Sequence, residues 1–499
     1  MPTLTIDNQN ITVEPGTTII EAAKQLGIDV PHFCYHPHLS ISGNCRMCLV
    51  EVEKMPKPQI SCSLVASEGM VVKTQSENAQ KWRKNVLEFI LVNHPLDCPV
   101  CDQAGECKLQ NYYFDHSVKG SQFKEQKVHK PKKFRLGPHV MLDDERCIMC
   151  SRCIRFCDEI SKSSELGFIQ RGDHTELRPF PGKQLDNPYS LNTVDICPVG
   201  ALTNEDFRFK CRVWFLESAP SVCNGCSRGC NINFQSSKGT AYRYLPRENK
   251  EVNQVWLCDE GRLSYKAINE NRALHVEKRN NTSQFSPINA DKALQEIADA
   301  IAKLGKDSVA VVGNALSSNE NNQALKKWAH ELMPNAPLFF SKREASNPYS
   351  DEILIKADKN PNTQGVLKLG FQALAPHSAK VWILLEELSE KDLKILSAKR
   401  PELIIAFTSH QGATASFADY ILPITSFAEE IGTFTNFEGR IQKFTSALKP
   451  KGEMKPAWQW LKALATKLGQ TWNIQTAEDL LKEGFGLSYA ELALNGKLI

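Results

Sequence analysis

Cysteines provide most of the chemistry that this sequence can support. The 499 residues contain 17 cysteines, the first at Cys34 and the last at Cys258, so the second half of the chain has none. An odd number, close C-x2-C pairs and the absence of an evident secretory leader after Met1 argue against a disulfide framework. We therefore expect reduced cysteines that hold metal.

The first group of four is spaced C-x10-C-x2-C-x13-C, with Gly43 just before its central pair. Four thiolates with one close pair can hold a 2Fe-2S cluster, and a glycine lets backbone N–H groups approach the sulfides. Zinc is the alternative, but two close pairs would suit zinc better. The predicted ligands are Cys34, Cys45, Cys48 and Cys62.

The second group is spaced H-x3-C-x2-C-x5-C. Its three cysteines are one short of the usual four cluster ligands, and His94 is the histidine placed to complete the set. The alternative is that His94 is an ordinary residue at a helix end. The predicted ligands of this 4Fe-4S cluster are His94, Cys98, Cys101 and Cys107.

The third group has the C-x2-C-x2-C-x3-C spacing by which ferredoxins bind 4Fe-4S clusters. It comprises Cys147, Cys150, Cys153 and Cys157. In two-cluster ferredoxins the fourth cysteine of each run binds the other cluster. A companion run would end at Cys197, but its other positions hold Asn187, Ser190 and Thr193.

One cluster of the ferredoxin pair has therefore been lost. We predict that Cys197 is the fourth ligand of the remaining cluster, beside Cys147, Cys150 and Cys153, and that Cys157 is left over. The alternative is that Cys157 binds the cluster and Cys197 is a structural thiol.

The fourth group is spaced C-x2-C-x3-C-x27-C. This spacing favours a 4Fe-4S cluster, although a C-x2-C pair with distant cysteines also occurs in zinc ribbons. The predicted ligands are Cys223, Cys226, Cys230 and Cys258. Of the two cysteines outside the four ligand sets, Cys157 and Cys211, we interpret Cys211 as structural.

Four clusters on one chain indicate electron conduction, because each can accept and pass one electron. No G-x-G-x-x-G fingerprint follows a strand and no P-loop is evident, so donor and acceptor are expected on partner chains. The formal net charge of +3 disfavours binding to nucleic acid. We nominate no catalytic side chain and interpret the pair Glu429-Glu430 as solvated charges or a turn.

The elements that must position the first groups follow from local patterns. Residues 3 to 6 and 10 to 13 alternate around Asp7-Asn8, which predicts a hairpin. A helix with a capping box from Thr18 to Glu21 follows and ends at Gly27. A second helix, over 79 to 93, leads into His94, and the lysine-rich stretch 124 to 133 is predicted to be exposed.

From about residue 285, helices and strands alternate. The pattern predicts helices at Ala290–Leu304, closed by Gly305, and at 323 to 332, with strands at 308 to 312, 381 to 385 and 403 to 407. This alternation predicts a mostly parallel sheet with covering helices. No apolar run approaches the ~20 residues of a membrane helix.

Two parts of the chain resemble known families. The segment HPLDCPVCDQAGEC at 94 to 107, with the groups on either side, resembles the large iron-sulfur subunit (the G subunit) of NADH-quinone oxidoreductase, respiratory complex I, over residues 1 to about 265. The segments ADYILP at 418 to 423 and EEIGTFTNFEGR at 429 to 440 resemble molybdopterin oxidoreductases.

The resemblance implies an α+β N-terminal half and an α/β C-terminal domain. The implied domains are a ubiquitin-like (β-grasp) 2Fe-2S domain at 1–78, a helical segment with the histidine-ligated 4Fe-4S cluster at 79–120, a ferredoxin-like 4Fe-4S domain at 138–212, a 4Fe-4S segment at 216–272 that opens the molybdopterin-oxidoreductase-like domain, and a shortened α/β domain of that family, without cofactor, at 273–499.

The resemblance also implies a function. The expected chain is an electron-relay subunit between a flavin-containing, NADH-oxidising partner and quinone, joined by other subunits of the hydrophilic arm. The expected cofactors are one 2Fe-2S and three 4Fe-4S clusters, with no molybdopterin, flavin or NAD on this chain. In that family the last cluster occurs only in some bacterial members. The expected location is the cytoplasmic side of a bacterial inner membrane, reached only through partner subunits.

Two alternatives stay open. Iron-only hydrogenases and NAD-linked formate dehydrogenases share the N-terminal cluster modules, although hydrogenases need further cysteines and none follows Cys258. A zinc-binding interaction or nucleic-acid protein is the alternative from another class, opposed by the near-neutral charge and the ferredoxin run.

Overall fold

The computed structural model describes residues 1–116, 120–280, 284–346 and 348–499. The chain forms two compact units, Met1–Phe215 and Leu216–Ile499. The first three predicted ligand groups therefore lie in the first unit and the fourth in the second. Within the described residues, no helix combines the length and the apolar character needed to cross a membrane.

The first unit begins with a small mixed sheet. Its strands are β1 Thr3–Ile6, β2 Gln9–Thr12, β3 Leu49–Val52, β4 Gln59–Ile60 and β5 Val71–Lys73, in the spatial order β2-β1-β5-β3-β4. Strand β1 pairs antiparallel with β2 and parallel with β5. Asp7 and Asn8 have φ of 45° and 67°, the left-handed values that a tight hairpin turn requires. The predicted hairpin is confirmed.

Helix α1 (Ile19–Gln25) packs its buried apolar face into the core of this sheet. Thr18 is the N-cap residue, but its hydroxyl donates to the Glu21 carboxylate at 3.3 Å instead of accepting a backbone N–H. The predicted capping box is therefore wrong. Glu21 is also engaged by the Tyr35 hydroxyl at 3.0 Å, and the Thr18 backbone forms a β-bridge with Val65.

The rest of the first unit consists of short elements around the cysteine groups. These are α2 Glu77–Leu91, α3 Lys108–Asp115, β6 Phe134–Arg135, β7 Val140–Leu142, α4 Arg152–Glu159, β8 Leu166–Ile169, β9 Glu176–Pro179, α5 Asn192–Asp195 and β10 Leu202–Asn204. Strands β10, β7 and β6 form an antiparallel sheet, and β8 pairs with β9. Helix α2 confirms the predicted helix before His94.

The second unit opens with an antiparallel three-stranded sheet of β11 Glu217–Val222, β12 Asn231–Ser237 and β13 Thr240–Pro246, followed by helix α6 Asp259–Leu263. Its later elements are β14 Glu277–Arg279, β15 Phe285–Pro287, α7 Ala290–Leu304, β16 Val309–Asn314, α8 Asn319–Leu332, β17 Leu338–Ser341, α9 Thr363–Lys368, β18 Gln372–Ala373, β19 Val381–Leu385, α10 Glu390–Ala398, β20 Leu403–Thr408, α11 Ala413–Phe417, β21 Tyr420–Pro423, β22 Gly432–Thr435, β23 Arg440–Phe444, α12 Ala457–Lys467, α13 Ala477–Phe485, α14 Tyr489–Leu492 and β24 Lys497–Leu498.

An eight-stranded sheet forms the centre of the second unit, in the order β15-β14-β21-β20-β19-β16-β17-β18. The six strands from β16 to β21 run parallel, and β14 and β15 add an antiparallel edge. The fully buried strands β16, β19 and β20 are apolar, because helices cover both faces of such a sheet. The predicted α/β fold with a mostly parallel sheet is confirmed.

Of the two interpretations of Glu429 and Glu430, the turn is confirmed, because the Glu429 N–H donates to the Ser426 carbonyl at 2.9 Å, whereas solvated charge is wrong. The two residues are only 4% and 7% exposed. Glu429 pairs with Arg272 at 2.5 Å, and Glu430 accepts hydrogen bonds from Asn321 and Thr425. Burial raises the pKa of Glu430 to about 8. Two adjacent acidic residues in a sequence usually indicate an exposed segment, but here the chain after β21 folds both side chains into the interior.

The central sheet should dominate the stability of the second unit. Ile383 is fully buried in the middle of β19, so we expect Ile383→Ala to lower the free energy of unfolding by about 2–5 kcal/mol through lost burial and a residual cavity. Leu367→Ala, at a 46% exposed position of α9, is the matched control and should cost less than about 1 kcal/mol. Denaturant unfolding of both variants checks this, and equal losses would contradict it.

Candidate iron-sulfur centres

The first cysteine group forms two pairs of thiols. Cys34 interacts with Cys45, and Cys48 with Cys62. Three of these residues are fully buried, and Cys45 is half-buried. Hydrogen bonding within each pair lowers the pKa of the Cys34 and Cys48 thiols. Two thiolates for each of two irons is the ligation that a 2Fe-2S cluster needs.

The loop before the central pair brings backbone donors to the first ligand. Gly43 has φ of 63°, which glycine adopts without steric cost. The next two backbone N–H groups, of Asn44 and Cys45, donate to the Cys34 thiol, while the Cys34 N–H donates to Cys45 Sγ at 3.4 Å. This arrangement agrees with the role predicted for Gly43.

The third group encloses a small cavity next to helix α4. Four of the residues lining it are Cys147, Cys150, Cys153 and Cys197. Met149 and Ser151 have left-handed φ of 54° and 59°, a strained conformation for residues other than glycine. This backbone conformation curls the run around the cavity.

Cys157 lies apart from that cavity lining, in a polar pocket of its own. It is fully buried, and the hydroxyls of Ser163 and Ser161 hydrogen-bond its thiol. Burial raises the pKa of Cys157 to about 12. Ser163 also donates to Glu165, which accepts from Asn187, a residue of the lost companion run, at 2.6 Å.

The second group lines a larger cavity of about 500 Å³ between α2 and α3. His94, Cys98, Cys101 and Cys107 all face it; Cys101 and Cys107 are buried and Cys98 is exposed. Burial lowers the pKa of His94 to about 4, so its imidazole is neutral near pH 7, the form that binds metal. Its Nδ1 atom is buried without a hydrogen-bond partner among the described residues, as a ligand site would leave it.

A lysine from the stretch predicted to be exposed helps to build this site. Lys127 is half-buried, and its Nζ donates to the carbonyls of Leu91, Val92 and His94 at 2.8–3.0 Å. These carbonyls lie at the end of helix α2, where the last turn leaves carbonyls without a helical partner. The prediction of exposure is therefore wrong for Lys127. The one sequence signal for this contact is the end of the predicted helix ahead of His94, where backbone carbonyls have no helical partner.

Gly200 is a second residue that sequence reasoning missed. A Cβ atom there would lie 2.3 Å from Cys101 Sγ, so only glycine allows this close approach. Because Gly200 follows Cys197 by three residues, the segment that carries a ligand of the third group packs directly on the second.

The fourth group lies in the second unit. Cys223, Cys226, Cys230 and Cys258 are all buried and share one small cavity. Burial raises the pKa of Cys223 to about 12. A Cβ atom on Gly261 would lie 2.9 Å from Cys223 Sγ, so this site also depends on a close backbone approach.

A backbone N–H two residues further along points at many of the predicted ligand thiols. The donors are Met47, Gln103, Leu109, Met149, Arg152, Val199 and Gly225, which follow Cys45, Cys101, Cys107, Cys147, Cys150, Cys197 and Cys223. Such donors stabilise a thiolate and the sulfur of a bound cluster. The residues present therefore fit iron-sulfur clusters.

Among the residues that the structure describes, no three His, Cys, Asp or Glu side chains are placed to hold a single metal ion. Cys211 is half-buried, and its thiol donates to the Arg212 carbonyl at 3.5 Å. The sixteen ligand assignments stay predictions.

Five segments of the chain match domain families. The descriptions are 2Fe-2S iron-sulfur cluster binding domain for 1–77, NADH-ubiquinone oxidoreductase-G iron-sulfur binding region for 83–122, NADH-quinone oxidoreductase subunit 3 ferredoxin-like domain for 137–203, Molybdopterin oxidoreductase Fe4S4 domain for 216–270 and Molybdopterin oxidoreductase for 356–467. The chain therefore has domains for both 2Fe-2S and 4Fe-4S clusters.

The chain is also similar to whole proteins. The G subunit of NADH-quinone oxidoreductase from Rickettsia bellii is 42% identical over 329 residues, which is 66% of this chain and 48% of that protein. The corresponding protein of Streptomyces coelicolor is 40% identical over 353 residues, 70% of this chain and 42% of that protein. The match thus spans about half the length of these curated relatives.

A chain of the solved NAD+-reducing NiFe-hydrogenase is 31% identical to this chain. The match covers 42% of this chain and 91% of the hydrogenase chain, with a TM-score of 0.39. At that TM-score the structural likeness supports no argument about function. The matches to the two bacterial G subunits and to the domain families agree with each other. Over about two-thirds of its length, the chain is homologous to the G subunit of NADH-quinone oxidoreductase.

Proposed function

We propose that this chain is the iron-sulfur electron-relay subunit of an NADH-quinone oxidoreductase. The observation that carries the proposal is that the three ligand groups of the first unit are joined to one another by direct contacts next to their ligands. A relay needs such continuity, whereas separate metal sites with structural roles do not.

The first and third groups meet through their ligand loops. Asn44 Nδ2 donates to the Met149 carbonyl at 3.0 Å, and both residues lie beside predicted ligands. Arg155 Nη2 donates to the carbonyl of Cys34 at 2.5 Å and approaches that of Cys150 at 3.5 Å. The predicted 2Fe-2S site therefore adjoins the ferredoxin-like site.

The third and second groups meet through the segment after Cys197. The Pro198 carbonyl accepts the Lys108 N–H at 3.2 Å, directly after Cys107, and Gly200 lies against Cys101. An ion pair of 2.7 Å joins Arg146 and Asp97, the residues immediately before Cys147 and Cys98. The ferredoxin-like site, called the central site below, therefore adjoins both the 2Fe-2S site and the histidine-ligated site.

A bound cluster supplies one-electron chemistry at each site. The part of this chain is to present deprotonated thiolates and a neutral His94, to limit access of water by burying most of the thiols, and to donate backbone N–H groups to the sulfurs. Burial raises the pKa of Cys150 to about 11, so loading the third site must displace thiol protons.

The donor and the acceptor of the electrons are assigned to partner chains. The relatives are named for NADH and quinone, so we infer a flavin-containing, NADH-oxidising partner and further subunits that lead to quinone. On the same basis we infer that the chain lies at the cytoplasmic face of a bacterial inner membrane, held there through its partners.

We propose a supporting role for the domain after residue 272. No cysteine follows Cys258 in the sequence, so this domain offers no thiolate ligand to molybdenum. Its strand order reverses between β16 and β19, where sheets of this kind bind ligands. There Asn314 Nδ2 donates to the Glu387 carbonyl at 2.8 Å and ties the two strand ends together.

Iron content tests the relay. A fully loaded chain should hold about 14 irons, from one two-iron and three four-iron clusters, and give both cluster types in low-temperature EPR during a redox titration. A colourless preparation with stoichiometric zinc, or fewer than about eight irons after reconstitution, would contradict the proposal.

The fourth ligand of the third site can be tested by a pair of matched variants. Cys197→Ser should remove one 4Fe-4S signal and about four irons, because Cys197 lines the cavity. Cys157→Ser should keep both, because that thiol faces Ser161 and Ser163 instead. The opposite pattern would show that Cys157 is the ligand.

The histidine ligand predicts a distinctive potential. His94→Cys replaces a neutral imidazole by a thiolate, and the added negative charge should lower the reduction potential of that cluster by roughly 100 mV or more. His174→Cys, at a position whose side chain is 59% exposed, is the control and should leave every potential unchanged. If His94→Cys does not move any potential, His94 is no ligand.

A further inference from the structure

Arg152 is a buried cation between the first and third sites. It is the first residue of helix α4, between the predicted ligands Cys150 and Cys153, and only 4% of its surface is exposed. A guanidinium is charged at any physiological pH, so this charge lies inside the protein.

The guanidinium of Arg152 binds the backbone of both sites. Nη1 donates to the Ile196 carbonyl at 3.0 Å, and Nη2 donates to the Tyr35 carbonyl. Ile196 immediately precedes the predicted ligand Cys197, and Tyr35 immediately follows the predicted ligand Cys34. One side chain therefore ties together a ligand segment of each site.

The charge of Arg152 has no carboxylate partner. Among the described residues, no Asp or Glu lies within ion-pair distance of it, and its Nε atom is buried without a hydrogen-bond partner. An unpaired buried charge is strongly unfavourable. The negative groups with which its charge interacts most strongly are thiols of both sites, Cys150 and Cys197 on one side and Cys34 and Cys45 on the other. Its charge also acts on His32, His36 and Lys108, whose pKa values are lowered mainly by burial and further by this charge.

Clusters held by thiolates are anionic, and such clusters would supply the missing counter-charge. We propose that Arg152 is a cation shared by the 2Fe-2S and the central 4Fe-4S clusters, which raises the reduction potentials of both. This inference rests on the proposed function, because it requires that both sites hold clusters.

The shared position has a specific consequence for electron transfer. Each cluster gains one negative charge on reduction, and a nearby cation stabilises the reduced form. Because Arg152 contacts both sites, it raises both potentials in the same direction. The two centres thus both become easier to reduce.

Arg155 adds a contribution of the same sign at both sites. It lies one turn further along α4, is half-buried, and donates to carbonyls of Cys34 and Ser40. Because its charge is partly exposed to water, screening reduces its effect on either cluster.

The test uses the full chain with its clusters loaded, in EPR-monitored redox titrations. Arg152→Gln removes the charge, so both potentials should fall, each by up to a tenfold change in the reduction equilibrium, about 59 mV. Arg152→Lys keeps the charge and should restore both potentials towards those of the unchanged chain. If Arg152→Gln loses both clusters while Arg152→Lys keeps them, the need for a counter-charge is shown directly.

Arg83→Gln is the matched control. Arg83 is also fully buried in the first unit, and it donates to the Leu49 carbonyl. Among its strongest charge interactions, Cys48 is the one thiol, and it is a predicted ligand of the 2Fe-2S site. Arg83→Gln should move the 2Fe-2S potential alone.

Three results would overturn the inference. The first is that both potentials stay unchanged in a loaded Arg152→Gln chain. The second is that only one of the two potentials changes in that chain. The third is loss of both clusters in Arg152→Lys as well, which would assign Arg152 a purely geometric role. The proposed function fails in a different way, since the unchanged chain would then give neither cluster signal.

Discussion

The burial of sulfur is the constraint on which the first unit depends. A thiol taken out of water resists deprotonation, and metal binding requires the thiolate. The chain meets this cost with local backbone: N–H groups two residues after a cysteine point back at its sulfur. That contact needs tight turns, which explains the left-handed residues Met149 and Ser151 beside the ligands.

Local spacing is also why so much of the site can be predicted. The turns that bring C-x2-C pairs together involve neighbours in the chain, so a sequence records them directly. The hairpin at Asp7-Asn8, helix α2 and the parallel sheet follow from equally local periods. The ferredoxin spacing also separates Cys157 from the predicted ligands, and the structure places its thiol against the hydroxyls of Ser161 and Ser163.

Contacts between distant segments cannot be predicted in this way. Lys127 belongs to a lysine-rich stretch that predicts exposure, yet it binds the end of helix α2. Glu429 and Glu430 have the pattern of surface acids, yet they are buried against Arg272 and Asn321. In each case a charged side chain is buried because a partner far along the chain satisfies it, and a single sequence does not show which residues meet.

The segment before Cys197 shows how polar residues are accommodated at positions where a second ferredoxin run would have cysteines. These polar residues are buried: Ser190 and Thr193 are fully so, and Asn187 donates to Glu165. Buried polar groups are tolerable only when hydrogen-bonded, and this chain of bonds reaches Cys157 through Ser163. With its thiol held there by hydrogen bonds, Cys157 is kept from competing with Cys197, the predicted fourth ligand of the central site.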